Sequence, residues 1–290
     1  MHVPVLLNEV IKTFSPKPNE NYIDCTIGAG GHSFKILEKI SPKGKVLGID
    51  LSLKAIKKLE KIKKEKKLSN RLILVNDNFS HLKHIIAKKD FKPVHGILFD
   101  FGISTDLLKN SNRGFTFIKK EPLDMRFNTK KSNLTAKKIV NNYSQKELEN
   151  IFVKYGEERW SKKISQEIIK QRKRSPLKTT RDLRRAIEKA LGYKFHIKCL
   201  ARIFQALRIK VNNELENIEK GLRQSFNVLE KGGKIITITF HSLEDKIVKS
   251  YFKDNNKLIS LFKTPLKPSD QEIKKNNKAR SAKLRAVYKK

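Results

Sequence analysis

The stretch Asp24-Cys25-Thr26-Ile27-Gly28-Ala29-Gly30-Gly31-His32-Ser33 decides how the rest of the chain reads. A short apolar run beginning at Tyr22 stops at glycines, and residues 34–40 follow with Phe34, Leu37 and Ile40 on one helical face. The pattern is strand, glycine turn, helix. Glycines there let the backbone approach a ligand closely, and a helix start offers free amides to polar or anionic groups. A second strand, KVLGID at 45–50, ends in Asp50, twenty residues beyond Gly30. A carboxylate so placed can accept both hydroxyls of a ribose. The combination favours a nucleoside-containing cofactor over a bare turn with a helix-capping Asp.

Outward from this turn the pattern repeats. Ala55, Ile56, Leu59 and Ile62 stripe a second helix; RLILV at 71–75 and GILFDF at 96–101 read as further strands. Strands separated by helices imply right-handed crossovers and a parallel sheet. From about 106 to 200 no strand is expected. Helices there announce themselves by capping boxes, Ser144 with Glu147 and Thr179 with Asp182. Leu207, Val211, Leu215, Ile218, Leu222, Phe226 and Leu229 then keep steps of three and four, as one helix closed by Gly232-Gly233. KIITITF at 234–240 returns to strand. The expected architecture is α/β, a doubly wound sheet formed by 1–105 and 203–290 and interrupted by an all-helical insertion at 106–202. The final stretch, 251–290, carries twelve Lys and Arg against three Asp and Glu and reads as loosely folded or ordered by a partner.

The 290 residues carry a formal net charge of +36. A surface of that sign attracts polyanions, so nucleic acid is the natural partner. Fifty-one of the basic residues are Lys, and Asn and Ile are also plentiful. An AT-rich genome raises all three together, so the bulk charge alone does not establish binding. More telling is 154–185, where twelve basic residues face four acidic ones with Tyr155 and Trp160 interleaved. Unstacked RNA bases lie well on rings and guanidinium planes. A hydrophobic content of 38% suffices for a core, and two cysteines without C-x-x-C spacing exclude a disulfide framework and a zinc staple. The opening MHVPVLLNEVIK has no basic leader, and no run approaches the roughly 20 apolar residues of a membrane span. A cytoplasmic protein with no membrane association and no metal is expected, as a monomer or homodimer.

Other residues cluster where strands should end. Asn78-Phe79 follows the third strand, where an aromatic ring can stack on adenine. Asp100-Phe101-Gly102-Ile103-Ser104 ends the fourth, and His241-Ser242-Leu243-Glu244-Asp245 ends the returning one, with Ser242 as its expected helix cap. Ligands of open α/β sheets sit at that carboxyl edge. The third glycine of G-x-G-x-x-G would fall at Ser33, which disfavours a nicotinamide dinucleotide. An acidic residue before the glycines resembles the S-adenosylmethionine-binding variant of the fold.

The chain as a whole resembles the ribosomal small-subunit methyltransferase H family, formerly the MraW family. The matching pieces are HVPVLLNEV at 2–10, DCTIGAGGHS at 24–33, RGFTF at 113–117 and PLDMRF at 122–127. They continue with YGEERW at 155–160, FQALRI at 204–209, TFHSLEDKIVK at 239–249 and ARSAKLR at 279–285. The resemblance implies a class I S-adenosylmethionine methyltransferase, a Rossmann-like sheet with an inserted helical domain. It implies methylation of the exocyclic N4 amine of one decoding-centre cytosine (1402 in the usual rRNA numbering) in 16S rRNA of the small ribosomal subunit. Cofactor contacts would fall on Gly30, Gly31 and His32, on Asp50 for the ribose, on Phe79 beside the adenine, and on Asp100. A Gln of the family that touches the cofactor aligns with Leu107, whose side chain has no polar group to offer. PLDMRF and SLEDK also depart from the commoner PLDMRM and SLEDR.

A cytosine amine is a poor nucleophile, because its lone pair is delocalised into the ring. It must be held in line with the methyl group while an acceptor takes a proton. Asp100, with Ser104 or His241, is the expected catalytic group. Competing readings are a non-catalytic rRNA-binding assembly factor, a methyltransferase of DNA or protein, and a nicotinamide-linked oxidoreductase.

Overall fold

The computed structural model describes residues 4–129 and 132–290, so His2 and Val3 of the HVPVLLNEV motif lie outside the described residues. Two compact units divide the chain, Met1–Gly102 with Leu215–Lys290, and Ile103–Glu214.

The first unit opens with helix α1 (Leu7–Phe14) and then alternates strand and helix: β1 (Tyr22–Asp24), α2 (Gly31–Lys39), β2 (Val46–Ile49), α3 (Leu53–Glu65), β3 (Leu72–Val75), α4 (Leu82–Lys89) and β4 (Gly96–Asp100). Neighbours β3-β2-β1-β4 are all parallel. Period-two alternation assigns the two faces. Tyr22, Val46 and Leu98 join the core under α1, α2 and α3. Ile23, Leu47, Ile97 and Phe99 join the opposite core with α4. Strands buried on both faces are the mark of a doubly wound sheet.

The second unit is helical, with α5 (Thr105–Asn110), α6 (Ala136–Asn142), α7 (Gln145–Gly156), α8 (Ser161–Arg174), α9 (Thr180–Leu191) and α10 (Ile197–Asn212). Both expected capping boxes form, at Ser144 before α7 and at Thr179 before α9. One apolar cluster holds the unit, including Leu148, Phe152, Ile164, Leu183, Ile203 and Leu207. Beneath it the fully buried Glu158 carboxylate is met by the Arg202 guanidinium at 2.6 and 2.7 Å. A buried charge demands such a partner.

The expected boundaries, 105/106 and 202/203, fall inside α5 and α10 respectively. Nor is 207–229 one helix. It breaks at Asn213, which adopts a left-handed conformation (φ 50°), and α11 (Glu214–Val228) begins there. Asn tolerates that conformation. The bend is braced by Asn212, whose side chain bonds Met125 and Phe127, and by Arg208, which grips Glu214 with two bonds of 2.9 Å.

Returning to the sheet unit, β5 (Lys234–Thr239) pairs parallel to β4 and is followed by α12 (Ser242–Asp254), β6 (Leu258–Ser260), α13 (Asp270–Lys275) and β7 (Lys283–Lys289). The C-terminal stretch is therefore not loose. β7 runs antiparallel beside β5, completing the order β3-β2-β1-β4-β5-β7-β6. Its charges hid an alternation: Leu284 and Ala286 are buried, while Lys283 and Arg285 reach Asp245. Lys289 donates to the carbonyls of Phe226 and Leu229 at 2.9 and 2.7 Å.

Candidate active site

The sheet reverses direction of growth between β1 and β4, and three carboxylates stand at the carboxyl ends of β1, β2 and β4: Asp24, Asp50 and Asp100. Open sheets bind ligands at that crevice. Asp24 is buried and committed to its own turn, accepting from the Ser33 hydroxyl at 2.7 Å and the Thr26 amide at 3.2 Å. Burial pushes its carboxyl up to about 6; His32, Ser33 and Thr26 pull against the rise, and the Asp100 charge adds to it. Thr26 carries a role that the sequence reading missed. Its Oγ1 accepts the Asp100 amide at 2.7 Å, joining the end of β1 to the end of β4.

Asp50 is half-buried. It accepts from the Gly28 amide at 2.8 Å and the Ser52 amide at 2.7 Å. Burial raises its carboxyl above the ordinary range against those two bonds. Each carboxylate oxygen retains a further lone pair for a ribose hydroxyl. Gly28 has φ +52°, and a side chain there would meet nothing nearer than the Thr26 carbonyl at 3.7 Å. Gly30 (φ +83°) and Gly31 differ: a side chain would meet Phe34 and Leu59 at the first, and the Pro4 ring at the second. The N-terminal segment thus packs onto the glycine turn, and the buried His32 ring bonds the Val5 carbonyl at 2.9 Å. What Gly31 and His32 offer a ligand is their backbone, at the first turn of α2, where amides lack intrahelical acceptors.

Phe79 is half-buried, 5.5 Å from Phe99 and 5.9 Å from Phe101 between ring centroids, with its edge against Gly221 of α11. Asn78 caps the short turn beneath it by accepting from the Ser80 amide at 2.9 Å. Aromatic ring, the Asp50 carboxylate, glycine turn and two further acidic groups belong to one sheet unit and one sheet edge. Their donor set fits a cationic nucleoside such as S-adenosylmethionine: carboxylates for the hydroxyls and the positive charge, a ring for the adenine, and the open side of Gly28 for the backbone approach.

The remaining candidates separate. His241 follows β5 at the same edge and is itself the cap of α12, a role the sequence assigned to Ser242. Its Nδ1 accepts the Glu244 amide at 3.4 Å, and its Nε2 lies 3.0 Å from Glu244 Oε1. Glu244 in turn accepts from the amides of Phe240 and His241. Ser104 belongs to the helical unit, where its oxygen caps α5 by accepting the Leu107 amide at 3.2 Å. Leu107 packs its side chain against the helical core, as its apolar character requires. Among the described residues no His, Cys, Asp and Glu group could hold a metal ion, and no helix is long and apolar enough to cross a membrane.

In the helical unit the basic stretch is organised around rings. Arg159, Lys163 and Lys194 surround Trp160 at 5.2, 5.3 and 5.0 Å from its centroid. Lys154 stands 5.3 Å over Tyr155. Tyr193, missed in the sequence reading, is 93% exposed and lies 5.4 Å from the same Lys194. It follows the glycine that ends α9; the only signal was one aromatic beside a lysine.

Three comparisons bear on this arrangement. The model of the MraW methylase family matches residues 1–290, the whole chain. The ribosomal RNA small subunit methyltransferase H of Dehalococcoides mccartyi is 42% identical over 99% of this chain and 86% of its own length. Proteins of the same name from Clostridium botulinum (40% identical, 99% and 98% covered) and Thermotoga neapolitana (41%, 99% and 95%) match equally along the chain. The sheet is Rossmann-like, and the methyl donor of a methylase of this family is S-adenosylmethionine. The chain belongs to the MraW methylase family.

Proposed function

We propose that this protein methylates 16S rRNA of the small ribosomal subunit in the cytoplasm, at the exocyclic N4 amine of the decoding-centre cytosine 1402. The relatives' shared name supports small-subunit rRNA as substrate, and the choice of that amine rests on the family resemblance. The observation that carries the reading is the carboxylate edge, where Asp50 and Asp100 flank the buried Asp24 at the switch point.

S-Adenosylmethionine supplies an electrophilic methyl group when bound. Asp50 would take the ribose hydroxyls, the turn from Gly28 to His32 would offer its amides, and Phe79 would pack on the adenine. Asp100 accepts a hydrogen bond from the cytosine amine, which aims the nitrogen lone pair and gives the departing proton an acceptor. Fixing Asp100 is the task of Thr26 and of the Gly102 amide, which donates to Asp100 Oδ1 at 3.1 Å. Ser104 accepts through its oxygen and keeps its own proton to donate, whereas His241 positions the turn after β5 through Glu244. Asp100→Asn is the direct test: at saturating S-adenosylmethionine, which offsets any loss of the donor's own contact with Asp100, turnover falls by about 10²-fold or more, the scale of a general base. Full turnover in that variant removes Asp100 from the chemistry.

A further inference from the structure

Residues 117–120 and helix α9 enclose a concavity of about 250 Å³ within the helical unit. Its wall on one side is Lys119 and Lys120, and on the other Arg181, Arg184 and Arg185, which share a face of α9 by their spacing of three and four. The single acidic residue present, Glu188, is engaged by Arg184 at 2.7 Å. Arg181 and Arg185 are exposed and meet no carboxylate among the described residues. Ile118 stands at the rim, 82% exposed, while Phe117 packs inward, edge-on to Phe204.

The concavity is prebuilt. Thr180 donates its amide to the Glu121 carbonyl at 2.8 Å and its hydroxyl to the Lys119 carbonyl at 2.6 Å, and accepts from the Glu121 amide at 3.0 Å. Glu121 Oε2 accepts the Gly114 amide at 2.8 Å, closing the loop's other end. Arg181 and Arg185, one helical turn apart and without a carboxylate among the described residues, repel one another unless an anion enters. Guanidinium forks match phosphate oxygens in pairs, and an exposed branched side chain offers a face to a sugar or base between phosphates.

We propose that this hollow is an anchoring site for phosphates of the RNA strand, in a different unit from the residues that hold the methyl donor. It rests on the RNA reading above and deepens it. The site contributes affinity and leaves the methyl-transfer step untouched.

The test compares Arg181→Gln/Arg185→Gln with Lys57→Gln/Lys61→Gln, which removes the same charge from the exposed side of α3. Binding of a single-stranded 16S rRNA fragment carrying the decoding centre is measured across a salt series, beside single-stranded DNA of the same sequence. The arginine pair lowers RNA affinity about tenfold and makes the salt dependence shallower by about 0.7 for each phosphate no longer held. KM for RNA rises, kcat and S-adenosylmethionine affinity hold, and DNA binding falls alongside. The lysine pair changes affinity by less than about threefold. Equal effects from the two variants would reduce the site to bulk charge, and a loss for RNA without a loss for DNA would move the interaction to the 2′-hydroxyl; each overturns the proposal. A wild-type protein that binds S-adenosylmethionine but no RNA would instead fail the reading on which the site rests.

Discussion

The amide of Asp100 donates to the hydroxyl of Thr26 at 2.7 Å, and this one bond ties the ends of β4 and β1 together where the sheet changes direction. The Thr26 amide in turn donates to Asp24, so the buried carboxylate, the threonine and Asp100 form a chain across two strands. The geometry at the carboxyl edge is set by that chain before any ligand arrives.

Thr26→Val keeps the shape and removes the acceptor. An amide left without its partner costs about 1–3 kcal/mol, and the displaced Asp100 loses its aim. Chemical denaturation of the variant will show that destabilisation, and single-turnover assays will show a slower methyl-transfer step at saturating S-adenosylmethionine. Wild-type turnover in Thr26→Val would mean that Asp100 is positioned by other contacts.

Asp245 links the turn after β5 to the last strand. Arg285 donates to it at 2.7 and 3.2 Å and Lys283 at 3.1 Å. Burial works against the ionised form, but the bonds and charges of Arg285 and Lys283 outweigh it and hold the carboxyl below its ordinary value. A depressed folded-state pKa contributes stability that is present above the unfolded value of about 3.9 and is lost as pH falls through the folded one. Asp245→Asn will therefore lower stability at pH 7 by about 1–3 kcal/mol, the scale of a part-buried hydrogen bond to a charged group, and flatten the acid side of the stability profile. Urea titrations between pH 3 and 7 read both; parallel profiles for the two proteins would contradict the assignment.

Tyr193 is tested through RNA binding alone. An aromatic ring stacked on a base contributes about 1–3 kcal/mol, and a residue 93% exposed contributes little to folding. Tyr193→Ala will lower affinity for single-stranded rRNA about tenfold while leaving the melting temperature within a degree or two. Unchanged RNA affinity would remove Tyr193 from the RNA-binding surface.

Local chemistry made much of this legible. The glycine turn, Asp50 and both capping boxes are short-range patterns, and the structure forms each where the spacing puts it. Long-range partners were not legible. The apolar steps run through Asn213 without a break, so only its left-handed backbone, braced by Arg208 and Glu214, separates α10 from α11. A count of charges over 251–290 masks the alternation of Leu284, Arg285 and Ala286 that makes a strand, because Arg285 and Lys283 find Asp245 some forty residues away. Thr26 reads as an ordinary strand residue until β4 is laid beside it. His241 and Ser242 are both fit to cap a helix, and only the placement of Glu244 chooses between them.

The most direct measurement is to incubate the protein and labelled S-adenosylmethionine with small subunits lacking the modification, and to map the label by nucleoside and fragment mass spectrometry. One methyl group is expected, on the exocyclic amine of the decoding-centre cytosine, and it disappears with Asp100→Asn. A methyl on a ring carbon, on a ribose or on a ribosomal protein would contradict it, as would a protein that binds the donor and transfers nothing to any form of the small subunit.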